Sequence, residues 1–284
     1  MELLRINHLK KRYSSFELND ISFSLDAGYI MGFIGPNGAG KTTTLKCMLG
    51  LTQKDEGSVQ MFGQDFFQNE LEFKQQIGVS FGDMDFYSKT KIKAITDVVS
   101  RFYTNWDNRL YCSYLDRFDL DENKRPSELS SGMKIKYVLA LAMSHHAKLL
   151  VLDEPTSGLD PVARDDLLTL FQELIENGET SILFSTHITS DLEKCADFIT
   201  YIENGSILAS CEKDELIASY RLVKGTIAQH QDIEARLVSA KIHAFGFTGL
   251  IRTKDLTTRD IVSIEQPSLE DIMIYHARGE RRHV

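Results

Sequence analysis

An α/β fold, with a parallel sheet buried on both faces, is predicted from three stretches of the chain. Residues 29–34 form a near-continuous apolar run that leads straight into Gly35-Pro36-Asn37-Gly38-Ala39-Gly40-Lys41-Thr42. A helical pattern follows over 41–51, with apolar positions at Leu45, Met48 and Leu49. Residues 149–152 and 181–185 are two further short apolar runs, separated by a helical pattern over 164–176. Continuous rather than alternating hydrophobicity marks strands covered from both sides.

The remaining elements follow from local pattern. Residues 3–30 read as short strands with polar breaks (3–9, 17–18 and 21–25), closed by the turn Asp26-Ala27-Gly28, and so as an antiparallel edge. From 83 to 146 the chain turns helical and polar-aromatic, with Phe102-Tyr103, Trp106 and an aromatic stretch at 111–118, and reads as a helical insert. Residues 198–202 and 206–210 flank Glu203-Asn204-Gly205, whose Asn-Gly is a strong hairpin signal. Beyond Lys224-Gly225 the motifs cease. There, 226–266 read as mixed short strands with a helix, and Ser268-Leu269-Glu270-Asp271 fits a helix N-cap with an acid three residues on. The expected organisation is a core over 1–225, with its helical part at about 83–146, and a small C-terminal extension over 226–284.

Composition narrows the function. With 284 residues and 42% hydrophobic content the chain can bury a sizeable core. A formal net charge of −9 and the lack of a basic stripe argue against nucleic acid as a partner. Cys47, Cys112, Cys195 and Cys211 show neither C-x-x-C pairing nor metal-ligand spacing and read as reduced thiols. No apolar run approaches the length of a membrane-spanning helix, and Glu2 and Arg5 stand where a signal peptide would need apolar residues, so a cytoplasmic chain is expected.

Four segments carry chemistry. In a loop of the 35–42 type, glycines let successive backbone N–H groups turn inward around phosphate oxygens, and the helix that follows adds its dipole. Lys41 would reach the β- and γ-phosphates, Thr42 would offer a hydroxyl to Mg²⁺, and Thr43 is placed for the α-phosphate. The apolar run at 149–152 ends in Asp153-Glu154, which puts one carboxylate near the metal and a second where it can orient and deprotonate water. His187 follows the run at 181–185, so it should emerge at the same carboxyl edge of the sheet and touch the γ-phosphate. Leu129-Ser130-Ser131-Gly132 opens a helix and makes a second anion site, which serves a purpose if it meets nucleotide held by another copy.

Together these residues resemble the ATP-binding subunits of ABC transporters over essentially residues 1–220. Gly35 to Thr42 match the Walker A loop, Leu129 to Met133 the signature, Leu149 to Glu154 the Walker B strand, Ser157 to Asp160 the D-loop and His187 the switch histidine. Tyr13 matches the aromatic that stacks on adenine. The resemblance implies a P-loop NTPase with a RecA-like core, an antiparallel β subdomain, an inserted α-helical subdomain and a small C-terminal appendage. It also implies ATP and Mg²⁺ as cofactors. Gly35, Asn37, Gly38, Ala39, Gly40, Lys41, Thr42 and Thr43 would hold the nucleotide, and Ser130, Ser131, Gly132 and Asp160 would complete a site on a paired chain. Phe102-Tyr103 to Trp106-Asp107, the 267–273 segment and Gly279-Glu280-Arg281 further resemble a subgroup of bacterial ABC-2 type exporters. That subgroup includes bacitracin-resistance, cell-envelope-stress and phenol-soluble-modulin export systems.

Two departures from the family pattern stand out. Where the family has Ile-Gly-x-x-x-Gln, this chain has Ile77-Gly78-Val79-Ser80-Phe81-Gly82, so the glutamine is missing and Asp83, or water, becomes the candidate to take its place beside the metal. The signature reads Ser-Ser-Gly-Met, adding a hydroxymethyl at Ser131 and an apolar Met133. The implied role is the ATPase of an exporter of a peptide, antibiotic or envelope-active compound. It would be peripheral on the inner face of the membrane, bound to a polytopic permease, and paired as a homodimer or with a related ATPase. An ATP-driven regulator of a membrane or wall-remodelling partner would carry the same motifs.

Overall fold

The polar-broken runs at the start of the chain become β1 (Glu2–Arg12) and β2 (Glu17–Asp26), which pair antiparallel with Ile6 opposite Phe23. The computed structural model describes residues 1–81, 87–257 and 263–280. Next come β3 (Ile30–Ile34), α1 (Lys41–Met48), β4 (Glu56–Met61), β5 (Gln64–Asp65), α2 (Glu70–Lys74) and β6 (Ile77–Phe81). The helices α3 (Ile92–Val99), α4 (Asn108–Arg117) and α5 (Ser131–Ser144) lead to β7 (Leu149–Asp153) and α6 (Pro161–Ile175). The chain then runs through β8 (Ser181–Thr186), α7 (Thr189–Cys195), β9 (Phe198–Glu203) and β10 (Ser206–Glu212).

Two sheets result. One, ordered β2-β1-β4-β5, is the expected antiparallel edge. The other is six-stranded, ordered β10-β9-β3-β8-β7-β6, and parallel from β9 through β6. Every residue of β3 and β8 is buried, which is what their unbroken apolar runs predict. Gly32 in β3 lets α7 approach closely, since a Cβ there would lie 2.2 Å from the Leu192 side chain. The hairpin between β9 and β10 turns through Asn204 and Gly205 with φ of 46° and 73°, the geometry an Asn-Gly turn favours. Its tip is pinned: Asn19 N donates to Gly205 O at 2.7 Å, and Gly205 N donates to Ala39 O at 3.0 Å, so the hairpin props the glycine loop.

α1 is shorter than the predicted 41–51. It stops at Met48 because Gly50 takes a left-handed φ of 70° and Leu51 N turns back to bond Lys46 O at 2.9 Å. Between β6 and β7 the three helices are tied by a buried hydroxyl cluster. Thr96 Oγ1 in α3 lies 2.9 Å from Tyr111 OH in α4 and 2.8 Å from Tyr137 OH in α5. Burial pushes the Tyr111 phenol up to about 12.

Residues 211–284 form a second compact unit. It contains α8 (Lys213–Ala218), β11 (Tyr220–Gly225), α9 (Ile227–Ile233), β12 (Leu237–His243), β13 (Gly246–Arg252), β14 (Ser263–Glu265) and α10 (Leu269–Glu280). The sheet order is β12-β13-β11-β14, all antiparallel, over a small core that includes Val223, Ile233, Phe247 and Ile251. The sequence reading placed β11 in the core domain by drawing the boundary at 225/226. In the structure β11 pairs with β13 and β14 and so belongs to the extension, which begins at Cys211. α10 starts as expected: Asp271 N donates to Ser268 Oγ at 3.0 Å and Ser268 N to Asp271 Oδ2 at 3.0 Å.

Candidate active site

Because β3, β8 and β7 are adjacent and parallel, their carboxyl ends deliver the glycine loop, His187 and Asp153-Glu154 to one edge of the sheet. The loop itself is shaped by its glycines. A Cβ at Gly35 would lie 2.2 Å from Ile202 O, and Gly40 holds φ of 112° against the side chains of Leu18 and Phe16. Lys41 is 6% exposed and folds back on the loop, donating to Gly35 O at 2.8 Å and to Pro36 O at 3.3 Å.

Asp153 and Glu154 diverge as β7 ends. Asp153 Oδ2 accepts from Thr42 Oγ1 at 2.7 Å, while Asp153 Oδ1 accepts from Ser185 Oγ, its neighbour across the β7–β8 register. Glu154 leaves the strand with φ of 52°, an uncommon left-handed backbone for a residue that precedes proline, held by its N–H bonds to Ser185 Oγ at 3.0 Å and Ser185 O at 3.1 Å. The turn points its carboxylate between the Lys41 ammonium and the His187 ring. Glu154 Oε1 lies 3.3 Å from Lys41 Nζ, and Glu154 Oε2 lies 2.8 Å from His187 Nδ1. A carboxylate oriented by a histidine beside a lysine is suited to accept a proton from water next to a phosphate.

These groups face an open cavity of about 720 Å³, lined by Asn37, Gly38, Gly40, Lys41, Thr42 and Thr43 on the loop side and by Glu154, Ser157 and His187 opposite. Ser15 and Phe16 complete the wall. Sequence reasoning passed over both, since neither lies in a motif. Tyr13 stands outside that lining, about half exposed, with Lys11 Nζ 5.5 Å from its ring centroid. Ala39 is buried beneath the loop, its carbonyl bonded to the Gly205 N–H.

The described residues that line the cavity do not include Ser130, Ser131, Gly132 or Asp160. Those four gather elsewhere. Ser130 caps α5 by accepting from Met133 N at 3.2 Å, and Asp160 caps α6 by accepting from Val162 N and Ala163 N at 3.0 Å each. A Cβ added at Gly132 would lie 3.7 Å from the Ala163 side chain, so the two capped helix starts sit side by side. Asp83 and Gly82 lie outside the described residues.

A nucleotide-binding loop at the carboxyl edge of a parallel sheet, with an acid-histidine pair opposite its lysine, defines a P-loop ATPase. A family profile described as ABC transporter matches residues 18–157. The ABC transporter ATP-binding protein YtrB of Bacillus subtilis (strain 168) is 29% identical over 278 residues, covering 93% of this chain and 94% of that protein. The bacitracin transport ATP-binding protein BcrA of Bacillus licheniformis is 31% identical over 217 residues, covering 75% of this chain and 71% of that protein. A solved structure described as an ATP binding subunit of an ABC transporter is 28% identical and superposes with a TM-score of 0.68, covering 75% of this chain and 91% of that one. The chain belongs to the ABC transporter family, as an ATP-binding and ATP-hydrolysing subunit.

Proposed function

We propose that the chain powers an ABC-2 type exporter, hydrolysing ATP on the cytoplasmic face to drive a peptide, antibiotic or envelope-active compound through a separate membrane subunit. The observation that carries this reading is the gathering of Glu154, Lys41 and His187 at one sheet edge, with two capped helix starts that the cavity there does not use. Glu154, Lys41 and His187 converge on one side, and the Ser130 and Asp160 caps stand apart. That division suits two copies, or this chain and a related one, each holding ATP between its own loop and the other's signature. Similarity to a bacitracin transport protein supports the export class. Among the described residues no helix is long and apolar enough to cross a membrane, so the route across would belong to a partner.

In this reading Glu154 takes the proton from the attacking water, His187 holds that carboxylate and contacts the γ-phosphate, and Lys41 leaves Gly35 O and Pro36 O for phosphate oxygens. Thr42 and Asp153 fit a magnesium ion, because a hydroxyl and a carboxylate oxygen already meet at 2.7 Å and such ions take few protein ligands beside phosphate and water. The ion would neutralise charge developing on the phosphates. The permease would dock in the cavity of about 240 Å³ between β6 and helices α3 and α5, lined by Gly78, Phe81, Ile95, Val138, Ala142 and His145.

The test is purification of the tagged chain from detergent-solubilised membranes, with mass spectrometry of what accompanies it. A stoichiometric polytopic membrane protein is expected. Recovery without one would overturn the exporter assignment.

A further inference from the structure

Behind the Glu154–His187 pair lies a buried polar cluster that no motif describes. Asp191, in the first turn of α7, is 1% exposed, and Thr156, two residues after Glu154, is fully buried. Arg164, in the first turn of α6, brings its Nε to 4.0 Å from Asp191 Oδ1, an ion pair too long for a hydrogen bond. Thr156 Oγ1, Arg164 Nε and Asp191 Oδ2 are all buried and none makes a hydrogen bond. Such groups are normally satisfied when buried. Burial accordingly pushes the Asp191 carboxyl up, with Thr156 and then Arg164 acting the other way and His187 and Glu154 near enough to be felt.

The three groups sit on three segments that leave the same sheet edge. Thr156 precedes the turn 157–160, Arg164 follows its capping residue Asp160, and Asp191 follows His187 on a helix locked to β3 through Leu192 and Gly32. A shift of Arg164 by about 1 Å would turn the loose pair into a charge-assisted hydrogen bond. Thr156 and Arg164 flank the turn that the proposed pairing of chains would press.

We propose that Asp191 is a positioning residue for hydrolysis, joining Arg164 and Thr156 to the His187 segment so that the seating of the 157–160 turn sets the Glu154–His187 geometry. The proposal rests on reading Glu154 and His187 as the hydrolytic pair.

The test is steady-state ATPase kinetics on Asp191→Asn, Arg164→Gln, Thr156→Val and the Asp191→Asn/Arg164→Gln double variant, beside Glu154→Gln. Asp191→Asn and Arg164→Gln are each expected to lower kcat about tenfold with KM for ATP within about twofold of the parent, and the double variant to be no worse than the poorer single one. A purely structural role would lower thermal stability without this split and without non-additivity. Parent-like kcat in Asp191→Asn, or losses that multiply in the double variant, would overturn the proposal. If Asp191→Asn does not fold, Arg164→Gln and Thr156→Val decide in the same way. Full turnover in Glu154→Gln would instead sink the underlying assignment of the hydrolytic pair.

Discussion

The Glu154 carboxylate meets His187 Nδ1 at 2.8 Å, although the two residues leave different strands and Glu154 must take a left-handed backbone to get there. Nothing in the local sequence prefers that backbone, so the conformation is held by the Ser185 bonds and the 154–157 turn, where Ser157 N donates to Glu154 O at 3.1 Å.

Glu154→Gln keeps the shape and removes the base. Turnover is expected to fall by about 10²-fold or more while nucleotide binding persists, so the ATP-bound pair of chains should accumulate. Size-exclusion chromatography with ATP reads this directly. Elution of the ATP-bound variant as a single chain would count against the pairing.

Lys41→Ala removes a buried ammonium that lines the cavity. Titration with a fluorescent ATP analogue should give an affinity lower by about tenfold or more, since a charged hydrogen bond is worth about 1.5–3 kcal/mol. Undiminished binding would remove Lys41 from the phosphate site.

Ser185→Ala takes away the hydroxyl that bonds Asp153 and receives the Glu154 N–H, leaving the Ser185 carbonyl bond in place. The variant should lose about 1–3 kcal/mol of stability in urea unfolding, and its kcat should drop more than its ATP affinity. Equal losses in both would show that Ser185 supports the fold and not the carboxylates.

His145 is stacked on Tyr103 at 3.7 Å with its Nδ1 3.0 Å from Gln75 O, and burial lowers it from 6.5 to about 4. Below 6.5 the unfolded chain takes up this proton while the folded chain waits until about 4, so the unfolded state binds more protons in that window and stability falls as pH falls. The loss should be on the order of 3 kcal/mol across it, and His145→Gln should flatten the slope of urea-unfolding stability against pH. An unchanged slope would mean that His145 titrates freely in the folded chain.

Much of this site was legible because each motif is a short segment whose backbone geometry its residues dictate: glycines for the loop, a serine or aspartate for each cap. What escaped the sequence depends on which strands become neighbours. Ser185 matters because β7 and β8 pair with Asp153 opposite it, and Phe16 reaches the cavity from the connection between β1 and β2. The boundary at 225/226 failed for the same reason. β11 ends in Gly225, which reads as a break, yet its partners lie further along the chain in β13 and β14.

The turn at Asn204-Gly205 constrains how such a chain can vary. Hairpin tips are ordinarily where insertions are tolerated. Here a Cβ on Gly205 would come within 1.8 Å of Glu17 O, and its N–H supports the carbonyl of Ala39 under the phosphate loop. A segment that lies outside every nucleotide-binding motif is therefore closed to lengthening and to grafted tags.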